Sequence, residues 1–99
     1  MQEKEFVELM DSMEKAEHDI MGVKGMEYTQ GDLKTDRLAN FYRIAKEINC
    51  DPKLVCYIYL KKHLDSIACF VKNNQEYSEE KIDGRINDAR NYLVLLNAI

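Results

Sequence analysis

Residues 49–55 read Asn-Cys-Asp-Pro-Lys-Leu-Val (NCDPKLV), and the reading of this stretch decides the fold. Asp51 is placed to cap a helix, because its side-chain oxygens can accept from the orphan N–H groups of a first turn. Pro52 follows at the first helical position, where its missing N–H is no loss. A helix therefore starts here, and another must end just before it. The new helix is predicted to run to Asn73, with Asn73 and Asn74 marking the turn.

Working outward, helical spacing organises the rest of the chain. Helix one is predicted over 3–21, with Phe6, Leu9, Met10, Met13 and Ile20 on one stripe. Gly22 ends it, and the segment VKGMEYTQG (23–31) reads as a loop. Helix two is predicted over 36–49, capped by Asp32 or Thr35, with Leu38, Phe41, Ala45 and Ile48 as its apolar face. Helix four is predicted from a Ser78 cap to Ala98. Glu79 and Glu80 complement the dipole of its first turn, and Tyr77 and Ile82 are spaced for a hydrophobic staple. No strand alternation or internal repeat is present. The expected fold is all-α: one domain over 1–99, an antiparallel four-helix bundle with short connections.

Composition narrows the function classes. Hydrophobic residues make up 45% and charged residues 32%, a globular balance. A net charge of −4 argues against sequence-independent binding to nucleic acid, which needs clustered cations. It leaves room for a small anionic ligand held by one or two arginines. The start, MQEKEFVELM, has no basic-then-apolar leader pattern, and the apolar runs LVCYIYL (54–60) and YLVLL (92–96) are too short to span a bilayer. Cys50, Cys56 and Cys69 are odd in number and form no CxxC, so free thiols in a cytoplasmic protein are expected, without a zinc site.

Several polar residues fall beside apolar stripes, where a buried charge must be paired or bind something. Glu17 lies within the stripe of helix one, and Arg37 and Asn40 lie on the apolar flank of helix two. A Glu17–Arg37 structural ion pair and a ligand role are both open. In helix three the core face is expected at Tyr57, Leu60, Leu64, Ile67 and Val71. A second seam, Tyr59, His63, Ser66 and Phe70, runs beside it; it can line a pocket, or His63 can be a bundle-edge histidine. In helix four the core stripe is expected at Ile82, Ile86, Ala89, Leu93 and Leu96. Asp88 and Tyr92 lie on its flank near Arg85, while Glu80, Asn87 and Asn91 lie opposite. Leu93, Val94, Leu95 and Leu96 cannot share one bundle face, so the C-terminal helix is expected in a homo-oligomer interface, with a fully buried central helix as the competing reading.

The order KGMEY (24–28), DRLANF (36–41), KHLDSI (62–67) and INDARNYLVLL (86–96) resembles small phage-encoded helical proteins. These are similar, more distantly, to the all-α MazG-like nucleotide pyrophosphatases. That resemblance implies an EExxE helix and a later ExxD helix holding magnesium. Here Glu79, Glu80 and Asp83 form EExxD, and no second such cluster follows. Glu17, Glu80 and Asp83 are the metal candidates if the chain is an enzyme, with magnesium as its cofactor; otherwise no cofactor is expected.

The leading expectation is a small helical protein of phage type that binds a nucleotide-like ligand without turnover, as a sponge for a host nucleotide signal would. Arg37 and Asn40 would supply anion and base contacts, Tyr59, His63 and Ser66 a wall, and Asp88, Asn91 and Tyr92 recognition. Lys24 and Tyr28, on the loop, would close over the ligand. The alternative is a MazG-like metal-dependent nucleotide pyrophosphohydrolase. A third reading is a protein-interaction module docking through the C-terminal helix.

Overall fold

The computed structural model describes residues 1–28, 38–76 and 81–99, with the side chains of 17 and 19–28 outside that description. The described residues form four helices and no strand: α1 (Glu3–Tyr28), α2 (Ala39–Ile48), α3 (Pro52–Asn73) and α4 (Ile82–Ala98). The all-α class is as expected. None of these helices is long and apolar enough to cross a membrane.

The α2–α3 junction forms for the local reasons written in NCDPKLV. Asn49 takes a left-handed conformation (φ 56°), which asparagine tolerates better than most residues. The Cys50 N–H then donates back to the Ala45 carbonyl at 2.9 Å, closing the helix end. Asp51 Oδ1 accepts from the Lys53 N–H at 2.8 Å, and Pro52 stands at the first helical position. Asn74 ends α3 in the same left-handed way (φ 53°), its N–H donating to the Phe70 carbonyl.

Three boundaries differ from expectation. α1 does not stop at Gly22 but continues through Gly22 and Gly25 to Tyr28. Each glycine costs about 1 kcal/mol relative to alanine, too little to end a helix in which no proline intervenes. α2 starts at Ala39 rather than 36, after a turn at Leu38 that supplies no side-chain cap; Asp32 and Thr35 lie outside the described residues. α4 starts at Ile82, not beside Ser78. Glu76 takes over part of the capping, its Oε1 accepting from the Ile82 N–H at 3.1 Å. Tyr77, Ser78, Glu79 and Glu80 lie outside the described residues.

The core sits where α2, α3 and the C-terminal half of α4 meet. Phe41, Ala45, Val55 and Cys56 are buried, and Leu38, Ile44, Tyr92, Leu95, Leu96 and Ile99 pack against them. Ile48, expected on the inner face of α2, is exposed. α3 packs on both α2 and α4, whereas α1 packs chiefly against α4.

Two predicted core stripes are only partly inside: Leu60 and Ala89 are buried and Ile67, Ile82 and Leu96 half-buried, but the rest of each stripe faces outward. On α3 the inner line is Cys56, Leu60, His63, Ile67 and Phe70, the first two buried and the others half-buried, while Tyr57, Leu64 and Val71 face outward. On α4 the inner line is Asp88, Tyr92, Leu95 and Ile99, with Ala89, Asn91 and Leu96 beside it; Ile86 and Leu93 are exposed. Both lines repeat at alternating steps of four and three, so periodicity alone admits either.

Two outcomes test this description. Asp51→Ala should lower stability by about 1 kcal/mol, seen as a fall of roughly 4–8 °C in the melting midpoint. Cys56 is fully buried and burial pushes its thiol up from the ordinary range, while Cys69 is exposed. Mass spectrometry after brief alkylation of the native protein should find Cys69 modified and Cys56 intact, since the thiolate is the reactive form.

Candidate functional site

The α3–α4 contact gathers the chemistry of the molecule. Phe41 meets Tyr59 edge-on, with ring centroids 6.2 Å apart. Tyr59 lies parallel to Tyr92 at 6.0 Å and 4°, and Tyr92 lies against His63 at 5.4 Å and 25°. These separations fall in the range of favourable aromatic pairs. The ladder thus runs from α2 through α3 and α4 and back to α3. Tyr92 is further anchored by its backbone, whose carbonyl accepts from Cys56 Sγ at 3.6 Å.

His63 stands at the end of the ladder between two charges. Its Nδ1 is 3.8 Å from Asp88 Oδ2 and 3.5 Å from Arg85 Nη1. Both approaches use the same nitrogen. With a bare Nδ1, Arg85 donates to it and the ring is the Nε2–H tautomer. With a proton on Nδ1, the ring faces Asp88 and Arg85 must look elsewhere.

Asp88 is only 4% exposed and Asn91 only 5%. One helical turn separates them, so they are neighbours on the α4 surface. Among the described residues, neither atom of the Asn91 amide has a hydrogen-bond partner, and the buried Asn87 Oδ1 has none either. Buried amides are nearly always satisfied, so each exception calls for an explanation. Leaving a buried donor or acceptor unmade costs about 1–3 kcal/mol.

Of the residues singled out in the sequence, the fold brings Tyr59, His63, Asp88 and Tyr92 together. Asn91 was expected opposite the core and is instead inside. Ser66 donates within its own helix to the Lys62 carbonyl at 3.3 Å, and the Asn40 Oδ1 accepts from Arg43 at 3.4 Å. Arg37 lies outside the described residues. Lys24 and Tyr28 belong to the end of α1 rather than a loop, and their side chains are not described. Arg85 and Phe41 join the assembly unforeseen as site residues. The three-residue step from Arg85 to Asp88, one helical turn, was the available signal for the first.

Of the metal candidates, only the Asp83 side chain falls among the described residues. No group of three or more His, Cys, Asp or Glu side chains there is arranged to hold an ion. Asp83 is exposed, and its Oδ1 accepts from the adjacent Gly84 N–H at 3.0 Å. Glu80 and the Glu17 side chain lie outside the description. No protein-family model matches the chain, and neither a curated protein nor a solved structure matches it significantly.

A double-mutant cycle on His63→Gln and Asp88→Asn measures whether the 3.8 Å contact carries energy. A coupling of about 1 kcal/mol by urea denaturation is the expected result. Additivity within a few tenths would show the pair to be merely adjacent.

Proposed function

We propose that the protein binds a small anionic, nucleotide-like ligand at the α3–α4 contact without turning it over. The observation that carries this reading is Asn91: a buried amide with donor and acceptor both unpartnered among the described residues, one turn from a buried carboxylate. A side-chain amide offers paired hydrogen-bonding groups that match the edge of a nucleobase. The ladder of Tyr59, Tyr92 and His63 lies nearby, and a base would stack on one of its outer rings, Tyr59 or His63. Arg85 supplies the planar fork suited to phosphate, and Arg37 and Asn40, with Lys24 and Tyr28, would extend the anion side. The reading takes the four helices as an antiparallel bundle. In a phage-infected cell such binding would sequester a nucleotide signal of the host.

Metal-dependent hydrolysis is the second reading. It needs carboxylates converging from two helices, and the candidates Glu17, Glu80 and Asp83 would have to supply them.

A panel of nucleoside triphosphates and cyclic nucleotides, with and without magnesium, separates the two. Binding should raise the melting midpoint with ligand excess, and chromatography should recover the ligand intact. Metal-dependent product would sink the binding reading. Asn91→Leu is the sharper probe. Replacing an unsatisfied buried amide by an apolar group of similar size should leave stability unchanged or higher, while the ligand-induced shift disappears. If Asn91→Leu binds as the native chain does, the amide has no part in recognition.

A further inference from the structure

We infer that the chain forms a two-fold dimer in which α1 of each copy lies on α3 of the other. The first observation is area. The accessible surface is 7472 Å², against roughly 5,800 Å² for a compact monomer of this mass. The radius of gyration is 15.3 Å, against about 13 Å for a compact chain of this length. The excess surface, roughly 1,600 Å² over the whole chain, leaves room for an interface of the size that homodimers use.

The second observation is where the apolar part of that surface lies. α1 carries Phe6, Leu9 and Met10 on one stripe at helical spacing, yet each is between 42% and 47% exposed. No residue of α1 whose side chain is described is fully buried. α3 shows a matching outward seam, Tyr57, Leu64 and Val71, at steps of seven, the repeat of a helix-pairing surface. α1 does not cover this seam within its own chain, because it packs chiefly on α4. On α4 itself, Leu95, Leu96 and Ile99 are taken up by the core. Ile86 and Leu93 remain exposed one step of seven apart, with Val94 about 100° round from Leu93, so α4 offers a two-residue seam shorter than that of α3.

The third observation is charge, which selects the pairing. Between residues 3 and 15, α1 holds five carboxylates and two lysines. Glu3 and Glu5 border the apolar stripe, whereas Lys4 and Lys15 lie on the back of the helix. α3 holds four lysines and one aspartate. Lys53 and Lys61 border its seam, Lys61 being paired along the helix with Asp65. Pairing α1 with α1, or α3 with α3, would set like charges together. Pairing α1 with α3 matches apolar to apolar and acid to base. A two-fold axis makes this exchange twice and closes the assembly, so no sticky face is left to propagate.

Sedimentation of the full chain tests this. The expected mass at tens of micromolar is twice the 11.6 kDa of one chain; a monomer there overturns the proposal. Met10→Lys sets an ammonium against the partner's lysines, and Leu64→Glu sets a carboxylate against its acids. Each should raise the dissociation constant roughly thirtyfold or more. Mixed together, the two variants should dimerise again, because lysine on one α1 then meets glutamate on the other copy's α3 and the second contact is native. Leu64→Glu remaining fully dimeric, or a mixture that stays monomeric, would refute the α1–α3 exchange. Should either variant unfold, hydrogen exchange of the native chain decides: protection along both α1 and α3 should fall on dilution, and protection independent of dilution counts against the dimer.

Discussion

The packing of α4 against α3 is the contact on which the rest of the molecule depends. Cys56, with no exposed surface, leaves room for α4 to approach, and its thiol points at the Tyr92 carbonyl. That approach seats Tyr92 between Tyr59 and His63 and carries Asp88 to His63. It also sets the end of the core, because Leu95, Leu96 and Ile99 then reach the cluster around Phe41 and Ala45. A larger side chain at Cys56 would push this helix away and uncouple all of these contacts together.

The same helix orientation has two costs, and they explain the character of the surface and the interior. Turning the Asp88–Tyr92 side inward buries a carboxylate and an unpartnered amide, each of which loses hydration. It also turns Ile86 and Leu93 toward water, forgoing about 25 cal/mol for each Å² of apolar surface left uncovered. Strained choices of this kind concentrate at functional sites, and the proposed ligand site accounts for the first of the two.

Much of the fold was legible because its determinants are local. The Asp51–Pro52 start and the ends at Ile48 and Asn73 follow from capping and left-handed asparagines, which act over a few residues. The site was partly legible as well. Tyr59, His63, Asp88 and Tyr92 stood out as polar or aromatic residues bordering apolar stripes, and the fold assembles them. Their surroundings were not legible. Asn91 was placed on the outside, Ser66 proved to be bonded within its own helix, and Arg85 entered from a neighbouring turn. Local pattern registers that a residue borders a stripe, but not whether that border is the seam or the edge.

What the sequence by itself determined is the helical class and the junction between α2 and α3, since dihedral preference and capping are settled among near neighbours. What only the tertiary structure decided is which face of each helix points inward. α3 and α4 each carry two lines of residues with the same alternation of four and three, and on α3 the two share Leu60 and Ile67. Periodicity cannot rank them, because the burial of one line depends on what the opposing helix presents. Here the small Cys56 and the rings of Phe41, Tyr59 and His63 receive Tyr92, and on α4 the line carrying Asp88 and Tyr92 became the interior.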